Sequence, residues 1–225
     1  MQYEIQGTPY PVAVLNLNAG ESVLCQSGAM TWMTPNMRME TKAGGLGKMF
    51  SRAISGESMF QNTYTAEGGN GMIAFASTVP GDILALNLQP GQSIVAQKSA
   101  FLASASTVSY EIFFQKKIGA GLFGGEGFIM QKFSGTGMLF LEIDGSAIAY
   151  DLAPGQVMIV DTGNLAAMEA TCSVSIETTK GVGNALLGGE GFFSTKVTGP
   201  GRIWLQTMPI SGLAAQIAKY IPSKG

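Results

Sequence analysis

Short apolar runs closed by glycine recur along the chain, several of them alternating between apolar and polar positions. Val14-Leu15-Asn16-Leu17, Leu84-Ala85-Leu86-Asn87-Leu88 and Ile148-Ala149-Tyr150-Asp151-Leu152 each end on an Ala-Gly or Pro-Gly turn signal. Another strand follows at once in Ser93-Ile94-Val95-Ala96 and Val157-Met158-Ile159-Val160, so each pair predicts a hairpin. Val108-Ser109-Tyr110-Glu111-Ile112, Val174-Ser175-Ile176-Glu177, Met138–Ile143 and Arg202–Leu205 continue the pattern. Short strands at even spacing, punctuated by glycine, predict an all-β fold of the sandwich or barrel type. Only the tail differs. Leu213, Ile217, Tyr220 and Ile221 recur at helical spacing, which predicts a short amphipathic helix packed on the β-body and ended by Pro222.

The pattern repeats. With position 88 laid on position 152, the sequence matches itself without a gap at 20 of the 54 positions from 88 to 141. Leu88, Pro90, Gly91 and Gln92 fall on Leu152, Pro154, Gly155 and Gln156, and Gly124-Gly125-Glu126-Gly127-Phe128 falls on Gly188-Gly189-Glu190-Gly191-Phe192. A more diverged copy precedes them. Leu15–Ser22 matches Leu86–Ser93 in pattern, and Gly56-Glu57-Ser58-Met59-Phe60 replaces the Gly-Glu-Gly-Phe run. The step from the turn glycine to this second motif, Gly20 to Gly56, Gly91 to Gly125 and Gly155 to Gly189, is nearly constant across the three copies. Three tandem β-sandwich-like repeats are therefore expected at 10–77, 78–143 and 144–208, followed by the helix and tail at 209–225.

Three units, each pairing a Pro-Gly-type hairpin with a Gly-Glu-x-[Phe/Met] motif beyond a glycine-rich loop, resemble the family named after altered inheritance of mitochondria protein 24. The resemblance covers nearly the whole chain, and the repeated Gly-Gly-Glu-Gly-Phe is its most specific part. It implies a β-sandwich related to the tryptophan RNA-binding attenuation protein fold, three units per subunit, and subunits joined as a trimeric ring. The mitochondrial relatives are implicated in inner-membrane organisation.

Composition narrows the chemistry. The chain has no histidine, which removes imidazole acid–base catalysis and imidazole metal sites. Its two cysteines, Cys25 and Cys172, form no CxxC motif and read as buried free thiols. Charge is sparse at 12% with a net of −2, so nucleic acid is not the expected partner. The N-terminus lacks the pattern of a signal sequence, and no uncharged apolar stretch approaches the ~18 residues of a membrane span. A cytoplasmic location is expected.

The loop entering the second motif is the most unusual segment. Each copy starts from lysine, runs through glycines and carries large apolar residues: Lys48, Met49 and Phe50; Lys117, Leu122 and Phe123; Leu186 and Leu187. Apolar loop residues call for a partner, either another subunit or a lipid surface met beside lysine. Glu57, Glu126 and Glu190 are the one acid repeated in register. With no second carboxylate or histidine nearby, a structural role in the turn is the expectation. Gly119-Ala120-Gly121-Leu122-Phe123-Gly124 matches GxGxxG, but the run after it reads as strand and Ala185 replaces the second glycine in the third copy. Glu142 and Asp144 share a strand face at a unit junction, and Trp32 and Trp204 read as core or interface anchors. The sequence thus predicts a homo-oligomeric, non-catalytic assembly or interaction protein without metal or cofactor. A ring binding a small molecule or nucleic acid at the repeat junctions is the alternative.

Overall fold

The computed structural model describes residues 1–43, 60–116, 127–178 and 193–221. Alternation sets the character of the first sheet. In β2 (Val12–Leu17) the residues Ala13, Leu15 and Leu17 are buried while Asn16 faces solvent, the period-2 pattern of a strand with one wet face. This sheet has the order β1-β2-β7-β4, with β1 at Gln2–Gln6, β4 at Met30–Met33 and β7 at Gly71–Ala76.

Two six-stranded sheets follow. The second sheet runs β5 (Met37–Ala43), β6 (Phe60–Ala66), β3 (Ser22–Gln26), β10 (Phe101–Ala105), β13 (Gly137–Asp144), β8 (Gly81–Leu88). The third runs β11 (Val108–Lys116), β12 (Phe128–Gly135), β9 (Ser93–Gln97), β16 (Leu165–Glu169), β19 (Gly201–Gln206), β14 (Ala147–Leu152). A fourth sheet has the order β15 (Val157–Asp161), β18 (Phe193–Thr198), β17 (Ser173–Thr178). A helix, α1 (Ile210–Ala218), closes the chain. The fold is all-β with one short C-terminal helix.

Among the described residues, the strands after β1 fall into three successive sets of six, β2–β7, β8–β13 and β14–β19. Within each set the first, sixth and third strands lie side by side: β2-β7-β4, β8-β13-β10 and β14-β19-β16. The second, fifth and fourth do the same in β3-β6-β5, β9-β12-β11 and β15-β18-β17. Each six-stranded sheet joins half of one set to half of the next. The joints are β3 on β10, with Cys25, Leu24 and Val23 facing Ala103, Ser104 and Ala105, and β9 on β16, with Ala96, Val95 and Ile94 facing Ala167, Met168 and Glu169.

Three apolar cores lie between the four sheets. Leu15, Ile73 and Phe75 from the first sheet meet Val23, Tyr64 and Phe140 from the second. Leu139, Leu141 and Ile143 from the second meet Ile94, Phe133 and Trp204 from the third. Val95, Met130 and Ile203 from the third meet Val160, Ile176 and Val197 from the fourth. In β13, alternate residues therefore serve different cores, Phe140 one and Leu139 and Leu141 the other. A strand buried on both faces needs an unbroken apolar run, and Leu139–Leu141 is one.

Glycine recurs where each sixth strand begins because side chains do not fit there. Gly137 and Gly201 have φ of +126° and +142°, and a Cβ on Gly201 would press on Cys172 Sγ at 2.8 Å.

Phe133 stacks on Phe101 at 5.2 Å and meets Tyr110 at 5.8 Å, ring centre to ring centre, in the middle core. Phe133→Ala is expected to lower unfolding free energy by about 3–5 kcal/mol through lost burial and a residual cavity. Urea denaturation with an unchanged m-value checks this.

Candidate functional site

The residues that sequence reasoning singled out as interaction loops, Lys48, Met49, Phe50, Lys117, Leu122, Phe123, Leu186 and Leu187, lie outside the described residues, as do Glu57, Glu126 and Glu190. Their flanks are described. The three segments join β5 to β6, β11 to β12 and β17 to β18, the fourth and fifth strands of each set. Lys116, at the mouth of the second, donates from Nζ to the carbonyl of Ile176 at 2.9 Å and ties β11 to the neighbouring fourth sheet.

The junctions between sets are held by polar groups that face inward. Glu142 Oε1 accepts hydrogen bonds from Ser77 Oγ (2.8 Å), Thr78 N–H (2.6 Å), Thr78 Oγ1 (2.8 Å) and Val79 N–H (3.3 Å). A buried carboxylate is tolerable only with such donors, and these pin the link between the first and second sets. Gln206, at the matching place in β19, does the same work without charge: its Nε2 donates to Gly163 O and its Oε1 accepts from Asp144 N–H. Gln97 is also buried and donates from Nε2 to Gly163 O and Leu165 O. Asp144 accepts from the Ile210 N–H at 2.7 Å and so holds the start of α1. Burial pushes its carboxyl above the usual range, the Ile210 N–H pulls it back, and the nearby Glu142 adds to the rise.

Glu142 Oε1 and Asp144 Oδ2 are taken by backbone and hydroxyl donors of the junctions. Burial pushes the Cys25 thiol up to about 12, and burial together with the Glu169 carboxylate raises that of Cys172, so neither is a ready thiolate. Among the described residues no group of three or more His, Cys, Asp or Glu side chains could hold a metal ion.

What the described surface does offer is apolar. Trp204 is buried in the middle core, as an anchor should be, but Trp32 on β4 is 46% exposed. Met33 on β4 and Val157 and Ile159 on β15 are exposed as well. Helix α1 departs from the expectation that it packs on the β-body, because none of its residues is buried. Its anchor is the polar bond from Ile210 to Asp144, not apolar burial, and Ile217 is left half-exposed. Sequence reasoning missed the β4 and β15 edges, since strand pairing beyond one set leaves no local signature.

The family of this architecture is shown by comparison. Residues 3–208 match the family described as Mitochondrial biogenesis AIM24. The chain belongs to the AIM24 family. An uncharacterised protein of Streptococcus pyogenes serotype M6 is 32% identical over 224 residues, covering 95% of this chain and 88% of the relative. The crystal structure of a Streptococcus pyogenes protein superposes with a TM-score of 0.81 at 28% identity, covering 98% of this chain and 99% of that one. AIM24 membership and the fold agree with the resemblance carried by the Gly-Gly-Glu-Gly-Phe motifs. No helix among the described residues of this AIM24 protein is long and apolar enough to cross a membrane.

Glu142→Ala removes the acceptor shared by the Thr78 and Val79 N–H groups and the Thr78 hydroxyl at the first junction, Ser77 keeping the Val79 carbonyl, and is expected to cost about 3 kcal/mol, against much less for Glu142→Gln. Chemical denaturation of both variants decides this. Asp144 carries the opposite sign. Because its folded pKa is raised, the native state binds the extra proton, and stability is lost as pH rises through that value. Asp144→Asn is therefore expected to raise Tm at pH 7, with the gain disappearing below the ordinary carboxylate range; thermal scans from pH 3 to 7 read the difference.

Proposed function

We propose that this AIM24 protein is a non-catalytic homo-oligomeric assembly or interaction protein, built from three copies of one unit and working in the cytoplasm, where it engages a protein or a membrane surface peripherally. The like strand orders of β2–β7, β8–β13 and β14–β19, together with the gapless sequence match between the second and third copies, support reading the sets as copies. The observation that carries the assembly reading is the exposed apolar side chains on β4 and β15, two strands that end their sheets. The buried junction carboxylate and amides already have protein partners, which favours a structural use of the junctions over a ligand-binding one. On this reading the subunits form a trimer, and the apolar residues of the glycine-rich segments face partners.

Native mass spectrometry and liposome co-sedimentation test this together. The expected results are a discrete trimer mass without bound ligand, and saturable sedimentation with anionic vesicles that falls severalfold in Leu122→Ser/Phe123→Ser. A monomer sinks the assembly reading. Unchanged sedimentation of the double variant sinks the loop contact. A stoichiometric small-molecule mass would favour the alternative, a ring binding a small molecule or nucleic acid at the junctions.

A further inference from the structure

Among the described residues, every third strand but one is paired on both sides. β10 lies between β13 and β3, and β16 lies between β19 and β9, whereas β4 has only β7. Second strands show the mirror image: β3 and β9 each have two neighbours, and β15 has only β18 among the described residues. The fourth strands β5, β11 and β17 are edges in all three sets, so an open edge is normal for them. For β4 and β15 it is not. Each lacks the kind of neighbour that both of its counterparts have, and each is the kind of neighbour the other lacks.

From this we infer that β4 of one copy pairs antiparallel with β15 of a second copy, head to tail, repeating the β10·β3 and β16·β9 joints between chains. The inference rests on the assembly reading and specifies its interface.

The internal joints fix the register. Ala103 and Ala167 face Cys25 and Ala96; Ser104 and Met168 face Leu24 and Val95. Trp32 and Met33 occupy the places of the former residues, because β4 meets β7 with the same step. Met30, Trp32 and Met33 face Phe75, Ala74 and Ile73, as Phe101, Ala103 and Ser104 face Leu141, Phe140 and Leu139. On the other side, Val160 and Ile159 hold the places in the third set that Ala96 and Val95 hold in the second. They pair with Thr195 and Lys196, as those pair with Gln131 and Lys132. The joint between copies therefore sets Trp32 opposite Val160, Met33 opposite Ile159 and Thr34 opposite Met158.

Edge chemistry agrees. Proteins protect open edges with charged side chains. Among the described edge strands, β1 carries Glu4, β5 Arg38 and Glu40, β8 Asp82, β11 Glu111, β14 Asp151 and β17 Glu177. β4 carries no charge, and β15 has its single charge, Asp161, only at its last position, after the apolar run Val157-Met158-Ile159-Val160. Bulk differs from the internal joints in a useful direction. Trp32, half-exposed, stands where both internal joints have alanine, and an association between separate chains needs the burial it adds to offset lost translational freedom. The joint is heterologous, since different strands meet, so repetition gives a closed ring or a filament.

Pairing geometry gives a sharp test. Ala170 N–H bonds to Ser93 O, two residues along from Val95 opposite Met168, so that pair exchanges backbone bonds and the neighbouring pair does not. By register, Trp32 and Val160 are a non-hydrogen-bonded pair, with Cα atoms about 4.5 Å apart, within disulfide range. Trp32→Cys/Val160→Cys is expected to convert most chains to covalent oligomers on mild oxidation, read on non-reducing gels. Each single variant and the out-of-register Trp32→Cys/Met158→Cys should remain largely uncrosslinked. The native cysteines are both buried and do not compete. Ile159→Lys, at a site 60% exposed, should give a monomer with unchanged far-UV circular dichroism. An oligomer that resists both changes overturns the joint and leaves assembly standing; a wild-type monomer overturns both.

Discussion

The structure depends on one demand: backbone N–H and C=O groups at the edge of a sheet, once placed between two apolar layers, must be paired. Strands β3 and β10, and likewise β9 and β16, meet in the middle of six-stranded sheets. Both faces of these sheets are covered by core. Water does not reach an edge in that position, and an unpaired group there costs about 1–3 kcal/mol. Pairing across the joint is therefore a condition of having three cores at all. The joints are short, three facing residue pairs each, and small residues such as Ala96, Ala103 and Ala167 let the strands and the layers above and below approach.

Polar groups then secure what strand pairing brings together. Glu142 and Gln206 stand at matching places in β13 and β19, and both reach out of their strands to backbone belonging to a neighbouring segment. The first uses a charge because it collects several donors on one oxygen. The second needs to donate as well as accept, which an amide does and a carboxylate does not. The difference in residue type at one structural position thus follows from the difference in what each must bond.

Much of the fold was legible in the sequence. Period-2 alternation in Val12–Leu17 and the Pro-Gly turns located strands, but the hairpins expected at those turns do not form: β8 and β9, and likewise β14 and β15, lie in different sheets and pair with β13, β12, β19 and β18 instead, because each turn carries the chain from one layer to the next. Membership of the AIM24 family was legible in the Gly-Gly-Glu-Gly-Phe runs. The sharing of sheets between sets was not, because Cys25 and Ala103 lie in different sets, far apart along the chain, and nothing local in either strand names its partner. The placement of Trp32 was not legible for the same reason: an indole looks alike in a core and on an open edge until neighbouring strands are known. Helix α1 shows the converse limit. Its apolar spacing correctly announced a helix, but spacing does not say whether any surface lies beneath it.

Shared sheets also govern how the molecule comes apart. In a solenoid, each repeat touches its neighbours across an interface and can melt from an end. Here a cut between β13 and β14 would divide not an interface but a sheet, stripping β16, β19 and β14 from β9 and opening the middle and last cores together. A chain that is modular in its sequence is in this sense not modular in its cores: no set can leave without dividing a sheet and opening a core.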